Sequence, residues 1–189
     1  MKMTRTFGFI LGLVGAIAAL APASAQAALG DSLFATGGTI TATFEGSDAG
    51  FDSNLALVVT SAGYNSGWIF PNHATAVGAT FEFGTFAAGT SLDFQLFVFG
   101  NGQTWHTGPG SGNADGLAHA NVIYNWNGTG STFVGFEDLY GGGDLDYNDH
   151  MFSFTNVAAI PEPETYAMLL AGLGLLGFAA RRRKLKIAA

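Results

Sequence analysis

Thr39-Ile40-Thr41-Ala42-Thr43-Phe44 alternates without a break, with Ile40, Ala42 and Phe44 on one face and Thr39, Thr41 and Thr43 on the other. A period of two over β-branched and aromatic residues predicts a strand with one buried face. Working outward, Thr80 to Phe83 alternates again, and Leu92 to Phe99 carries Leu92, Phe94, Leu96 and Val98 on one side. Leu55 to Thr60 is apolar almost throughout, as a buried strand is. His119 to Trp126 sets Ala120, Val122, Tyr124 and Trp126 together, which assigns Trp126 to the core and leaves His119 among the polar positions. Thr132 to Glu137 and His150 to Val157 complete the series. Gly- and Asn-rich breaks separate these runs at 62–65, 87–89, 100–102 and 127–130, and no helical period shows between Gly30 and Ala159. Short strands at this spacing predict an all-β fold, an antiparallel β-sandwich or jelly-roll-like domain over residues 28–159.

The charge distribution restricts what such a domain can do. All seven Lys and Arg of the chain lie at Lys2, Arg5, Arg181, Arg182, Arg183, Lys184 and Lys186. The segment between them holds twelve carboxylates before Pro161 and no basic side chain. Self-repulsion of that size opposes a compact state unless cations bind or the charges are spread. Nucleic acid is excluded as a partner, because phosphate neutralisation needs Lys or Arg. There is no cysteine, so disulfides contribute nothing and a metal is the remaining staple.

The two ends read as export signals. Lys2 and Arg5 precede the apolar run Phe7 to Leu20, then Pro22 and the small-residue site Ala23-Ser24-Ala25, which predicts a signal peptide over residues 1–25. Near the other end, Tyr166 to Ala180 is apolar and glycine-rich and runs directly into the basic cluster 181–186. This predicts a short membrane helix over 166–180, inserted transiently, with its basic flank cytoplasmic.

The densest chemistry lies in Phe136-Glu137-Asp138-Leu139-Tyr140-Gly141-Gly142-Gly143-Asp144-Leu145-Asp146-Tyr147-Asn148-Asp149. Calcium takes six to eight oxygen ligands from carboxylates, carboxamides, carbonyls and water. The alternation Asp144-x-Asp146-x-Asn148 lets such oxygens converge, and the glycines let the backbone wrap. Glu137, Asp138, Asp144, Asp146, Asn148 and Asp149 are therefore the candidate calcium ligands. The loop is not an EF-hand: Asp149 stands where the invariant glycine belongs and Thr155 where the bidentate glutamate belongs. The competing reading is a solvated acidic turn bonded to its own amides. His73 and Asn113 to Asp115 are further candidates for the shell that no spacing singles out, and the four histidines show no metal-ligand spacing. Trp105, beside the polar stretch 108–116, is the candidate for stacking on a sugar.

Two segments resemble known families. Pro161, Glu162 and Pro163, the apolar run and the Arg cluster resemble a PEP-CTERM sorting signal over 160–186. That resemblance implies a bacterium that makes exopolysaccharide, and processing by an exosortase. Val134-Gly135-Phe136-Glu137-Asp138 and Gly141 to Asp149, within residues 119–154, resemble the DUF4114 family, with Tyr147 where phenylalanine is common. This second resemblance implies a secreted, calcium-binding module of unestablished function.

No nucleophile elbow or oxyanion-stabilising group is evident, so the chain reads as non-catalytic. The expectation is an exported calcium-binding β-domain, passing through the cytoplasmic membrane during sorting and then residing at the cell surface or in the extracellular matrix. There it would serve exopolysaccharide organisation, biofilm formation or adhesion. The alternative is a calcium-dependent carbohydrate-binding module for the matrix polysaccharide, working through Trp105.

Overall fold

The structure is a computed structural model that describes residues 27–159 and 169–178. The predicted signal peptide and the segment Pro161-Glu162-Pro163 lie outside the described residues. Among the described residues twelve strands follow in chain order: β1 Ala27–Leu29, β2 Leu33–Ala35, β3 Gly38–Gly46, β4 Ser53–Val59, β5 Tyr64–Asn65, β6 Thr80–Phe86, β7 Ser91–Val98, β8 Gln103–His106, β9 Ala120–Trp126, β10 Ser131–Phe136, β11 His150–Phe154 and β12 Val157–Ala158. The described part is mostly β, in two antiparallel sheets, with one short helix over 169–178. That helix covers only part of the expected membrane helix 166–180. No helix among the described residues is long and apolar enough to cross a membrane.

One sheet runs β1-β9-β10-β11-β3-β6 and the other β12-β2-β7-β4-β5, with β8 added to the edge of β7 beyond β2. Of the strands predicted from alternation, β3, β7 and β9 lie inside their sheets and β6 forms an edge. β3 buries Ile40, Ala42 and Phe44, and β7 buries Leu92, Phe94, Leu96 and Val98, as their period of two requires. The facing side chains meet in an aromatic core. Phe94 of one sheet stacks on Phe154 of the other with ring centroids 4.0 Å apart, and Phe44, Phe70 and Phe152 stack beside them. Each such ring removes a large apolar area from water, so this cluster dominates the packing energy.

Trp126 departs from its expected place. Asn125 takes a left-handed φ of 52°, and the β9–β10 register shifts between Ser131 and Phe133. The alternation therefore slips before Trp126, which stacks on Phe133 at 4.3 Å outside the core cluster. A bulge of this kind re-aims every side chain beyond it.

The architecture concentrates loops at one end. β10 and β11 pair directly, Phe136 opposite His150, so the segment 137–149 is the connection between two central strands. The β3–β4 connection, the β7–β8 turn and the stretch leading into β9 all reach this loop. Asp48 donates its N–H to the carbonyl of Asn148, Asn101 donates to the carbonyl of Asp138, and Gly141 donates to the carboxylate of Asp115.

Candidate functional site

The acidic connection folds back on the strand it leaves. A Cβ at Gly135 would lie 2.1 Å from the carbonyl oxygen of Tyr147, so only glycine lets the loop pack against β10 there. A Cβ at Gly143 would stand 2.8 Å from Glu137 Oε2, which shows how closely the backbone passes the carboxylate. Leu145 and Tyr147 both adopt left-handed backbone, at φ 62° and 56°. Non-glycine residues hold that conformation at a cost of roughly 1–2 kcal/mol each. Residues in such sparsely populated regions persist where the surroundings over-determine them.

That backbone path gathers three carboxylates. One oxygen each of Glu137, Asp144 and Asp146 lies within 4.8 Å of the others. Oxygens held 2.3–2.6 Å from one calcium ion stand at most about 5 Å apart, so the separation is one that a single cation bridges. Glu137 is 1% exposed and forms the floor, while Asp144 and Asp146 are exposed and close the site from the solvent side. The Tyr147 N–H donates to Glu137 Oε1 at 2.6 Å and fixes that carboxylate under the loop.

The other predicted ligands hold the loop in different ways. Asp149 Oδ2 accepts the N–H of Asp138 at 2.8 Å, and its carbonyl accepts the Ser47 hydroxyl. Asn148 donates its backbone and side-chain N–H groups to the two oxygens of Asp146. Asp138 is 2% exposed, and its Oδ2 is buried without a hydrogen-bond partner. The Asp149 carboxyl is the side chain set against it, and a buried carboxylate oxygen that no N–H reaches is costly.

The electrostatics of the cluster are one-sided. Burial raises the Glu137 carboxyl above its ordinary value; the Tyr147 N–H opposes this, and Asp149, Asp144 and Asp146 add to it. Burial, then the charges of Asp149 and Glu137, push Asp138 up to about 6. Asp149 is raised by burial, against the Asp138 N–H, with Asp146 and Asp144 contributing. Each carboxylate is thus disfavoured by its neighbours, and the chain has no Lys or Arg within the described residues to relieve them.

Two buried histidines flank the loop, where strand residues of polar type were expected. His119 and His150 are both 0% exposed. His119 Nδ1 donates to the carbonyl of Glu137 at 3.1 Å, and Nε2 meets Asp115 Oδ2 at 2.8 Å. Both ring nitrogens thus face oxygen atoms, one a carbonyl and the other a carboxylate. Trp105 lies flat on this imidazole, 3.6 Å between centroids and 5° between planes, and donates its indole N–H to the carbonyl of Asp138 at 2.9 Å. It is 0% exposed, so its face is not available for a sugar. His150 is the opposite case. It bonds Ser53 Oγ through Nδ1 at 2.9 Å, leaves Nε2 unpartnered, and burial holds it down to about 3.

The brace formed by Asp115, His119 and Trp105 was not singled out by spacing. The strand register assembles it: Ala120 opposite Phe136 places His119 opposite Glu137 one residue further on.

Among known families, a model described as the PEP-CTERM protein-sorting motif matches residues 159–184. No curated protein and no solved structure matches the chain. The motif implies processing by exosortase, with export and membrane-associated sorting to the cell surface.

Proposed function

We propose that this chain, carrying an exosortase sorting motif, delivers a non-catalytic, calcium-stabilised β-sandwich to the cell surface or the extracellular matrix. There it contributes to exopolysaccharide organisation, biofilm formation or adhesion. The observation that supports the reading is the convergence of Glu137, Asp144 and Asp146 oxygens within 4.8 Å on a loop with no internal cation. Buried Asp138, with an unpartnered oxygen, is a further candidate for the cation's field. Calcium suits this set because it takes carboxylates in flexible geometry and completes its shell with carbonyls and water. The loop's resemblance to DUF4114 agrees with that choice. An ion that binds only the folded state stabilises it by mass action, so export into millimolar calcium would stiffen the domain after it leaves the cell.

The test is thermal unfolding of the purified chain with calcium, with magnesium and with EGTA. At about a hundred times its Kd, calcium adds ~2.7 kcal/mol, which raises the Tm of a domain of this size by about 10 °C. The rise should be calcium-selective and absent in Asp144→Asn/Asp146→Asn. Identical midpoints in all three buffers would leave the loop as a solvated acidic turn.

A further inference from the structure

The outer face of the sheet that contains β7 carries a row of aromatic and polar side chains that the acidic loop does not use. Asn54 of β4, Phe97 of β7 and Thr104 of β8 lie opposite one another across three strands. Their neighbours Leu55, Leu96 and Trp105 point inward and are fully buried, so by alternation this row points outward. Trp68 stacks on Phe97 with centroids 5.2 Å apart and planes 28° from parallel, and Phe97 meets Phe99 edge-on at 4.8 Å. Trp68 is 45% exposed and Phe99 53%. The aromatic row ends at Phe99 in an open groove of about 370 Å³, lined also by Asp52, Asn54, Pro71 and His73. That size lies within the range of small-ligand sites.

Polar groups in the groove are left unused. Among the described residues, the Asn54 side-chain carboxamide makes no hydrogen bond and the Asp52 carboxylate uses only Oδ1, which holds His73 Nδ1 at 2.9 Å. A free carboxamide and a free carboxylate oxygen beside exposed rings suit a ligand that has hydroxyl groups on its edges and C–H groups on its faces. Charge narrows the class. The two carboxylates on this face, Asp52 and Asp93, are each matched by an imidazole, His73 and His106, at 2.9 Å. Both carboxylates are thus engaged, and because the domain has no Lys or Arg, polyanions are repelled at long range.

We propose that the groove at Phe99 and the Trp68–Phe97 row form a binding site for a neutral hexopyranose polymer, with sugar rings stacked on the aromatics and hydroxyls bonded by Asn54 and Asp52. The site uses none of the carboxylates of the acidic loop, so it does not rest on calcium. Trp68 also makes it directly observable by fluorescence.

The test is titration of the purified full-length chain with neutral polymers (β-glucan, mannan, galactan and dextran), with alginate as the anionic control. Tryptophan fluorescence and isothermal calorimetry are the readouts. Saturable binding to at least one neutral polymer is expected, weakened about tenfold or more in Trp68→Ala and in Asn54→Ala, and unchanged in Asp144→Asn/Asp146→Asn. Unfolding midpoints of the variants, compared with the parent, exclude loss of fold as the cause. Binding of none of the neutral polymers, preference for alginate, or binding indifferent to both Trp68→Ala and Asn54→Ala would overturn the assignment. A self-association of the chain that Trp68→Ala abolishes, with no effect of any polymer on it, would overturn it as well.

Discussion

Asp115, Asp93 and Asp52 each face a histidine, at 2.8, 2.9 and 2.9 Å, whereas Glu137, Asp144 and Asp146 face one another. The domain has no Lys or Arg, so imidazoles are the only side chains it can offer as cations. Three of its four histidines are spent on aspartates outside the triad. The fourth, His150, is adjacent to the acidic loop in sequence but is buried among Phe44 and Phe152 and held neutral. Its lowered pKa comes first from burial. The difference teaches that the triad is not a place where the fold failed to supply a counter-charge by chance of composition. His119 is hydrogen-bonded to the backbone of Glu137, and its second nitrogen goes to Asp115 rather than to the Glu137 carboxylate. The brace positions the loop and leaves its carboxylates unmatched.

The comparison breaks hardest at its most buried pair. Asp115 and His119 are 3% and 0% exposed at the side chain. Burial acts to raise the Asp115 carboxyl, but the N–H groups of Leu117 and Gly141 and the His119 ring hold it down at about 2. Replacing Asp115 with alanine leaves a buried imidazole without its acceptor and frees the Gly141 N–H. A loss of about 3–5 kcal/mol is expected, read by chemical denaturation. A loss below about 1 kcal/mol would mean that the pair is not a brace.

The unmatched carboxylates should respond in the opposite direction. In EGTA, Asp144→Asn/Asp146→Asn removes two mutually repelling charges, and the variant should be more stable than the parent by about 1 kcal/mol. In calcium the order should reverse. A variant less stable than the parent in both buffers would show that hydrogen bonding, not repulsion, governs these residues.

The smallest effect belongs to the partly exposed pair His106 and Asp93. The hydrogen bond from Asp93 raises the His106 imidazole, burial opposes, and the Asp93 charge adds to the rise. A histidine whose folded value lies above its unfolded 6.5 contributes stability that is complete below that pH and lost as pH rises through the folded value. With both side chains about one-third exposed, solvent screening limits the contribution to about 0.5 kcal/mol. Stability measured in EGTA at pH 6 and pH 8 should fall by that amount more in the parent than in His106→Gln.

Much of the fold was legible because alternation is a direct record of which side a residue faces. β3, β6 and β7 are found where their apolar residues recur at every second position, and β4 where the run is apolar throughout. β1, β2, β5 and β8 were not read, since two to four residues carry too little period to distinguish a strand from a loop. β8 illustrates the consequence. Trp105 lies within Gln103–His106, where pairing with Leu96 turns it inward, so the tryptophan expected to meet a ligand is instead packed on His119. Trp68, outside any named strand, has the exposed ring.

The acidic segment shows the same division. Its oxygen-rich composition, its glycines and the absence of basic residues are properties of the chain itself, and they define what kind of ion the loop can attract. Which carboxylates meet is decided elsewhere. Glu137, Asp144 and Asp146 converge because Tyr147 packs its carbonyl on Gly135 and its N–H on Glu137. Asp149 is drawn away by the N–H of Asp138, and Asn148 turns its donors onto Asp146. Spacing along a chain records only which residue types are near one another. Convergence on a point depends on left-handed residues, on strand register and on partners from distant strands, and these exist only when the two sheets close.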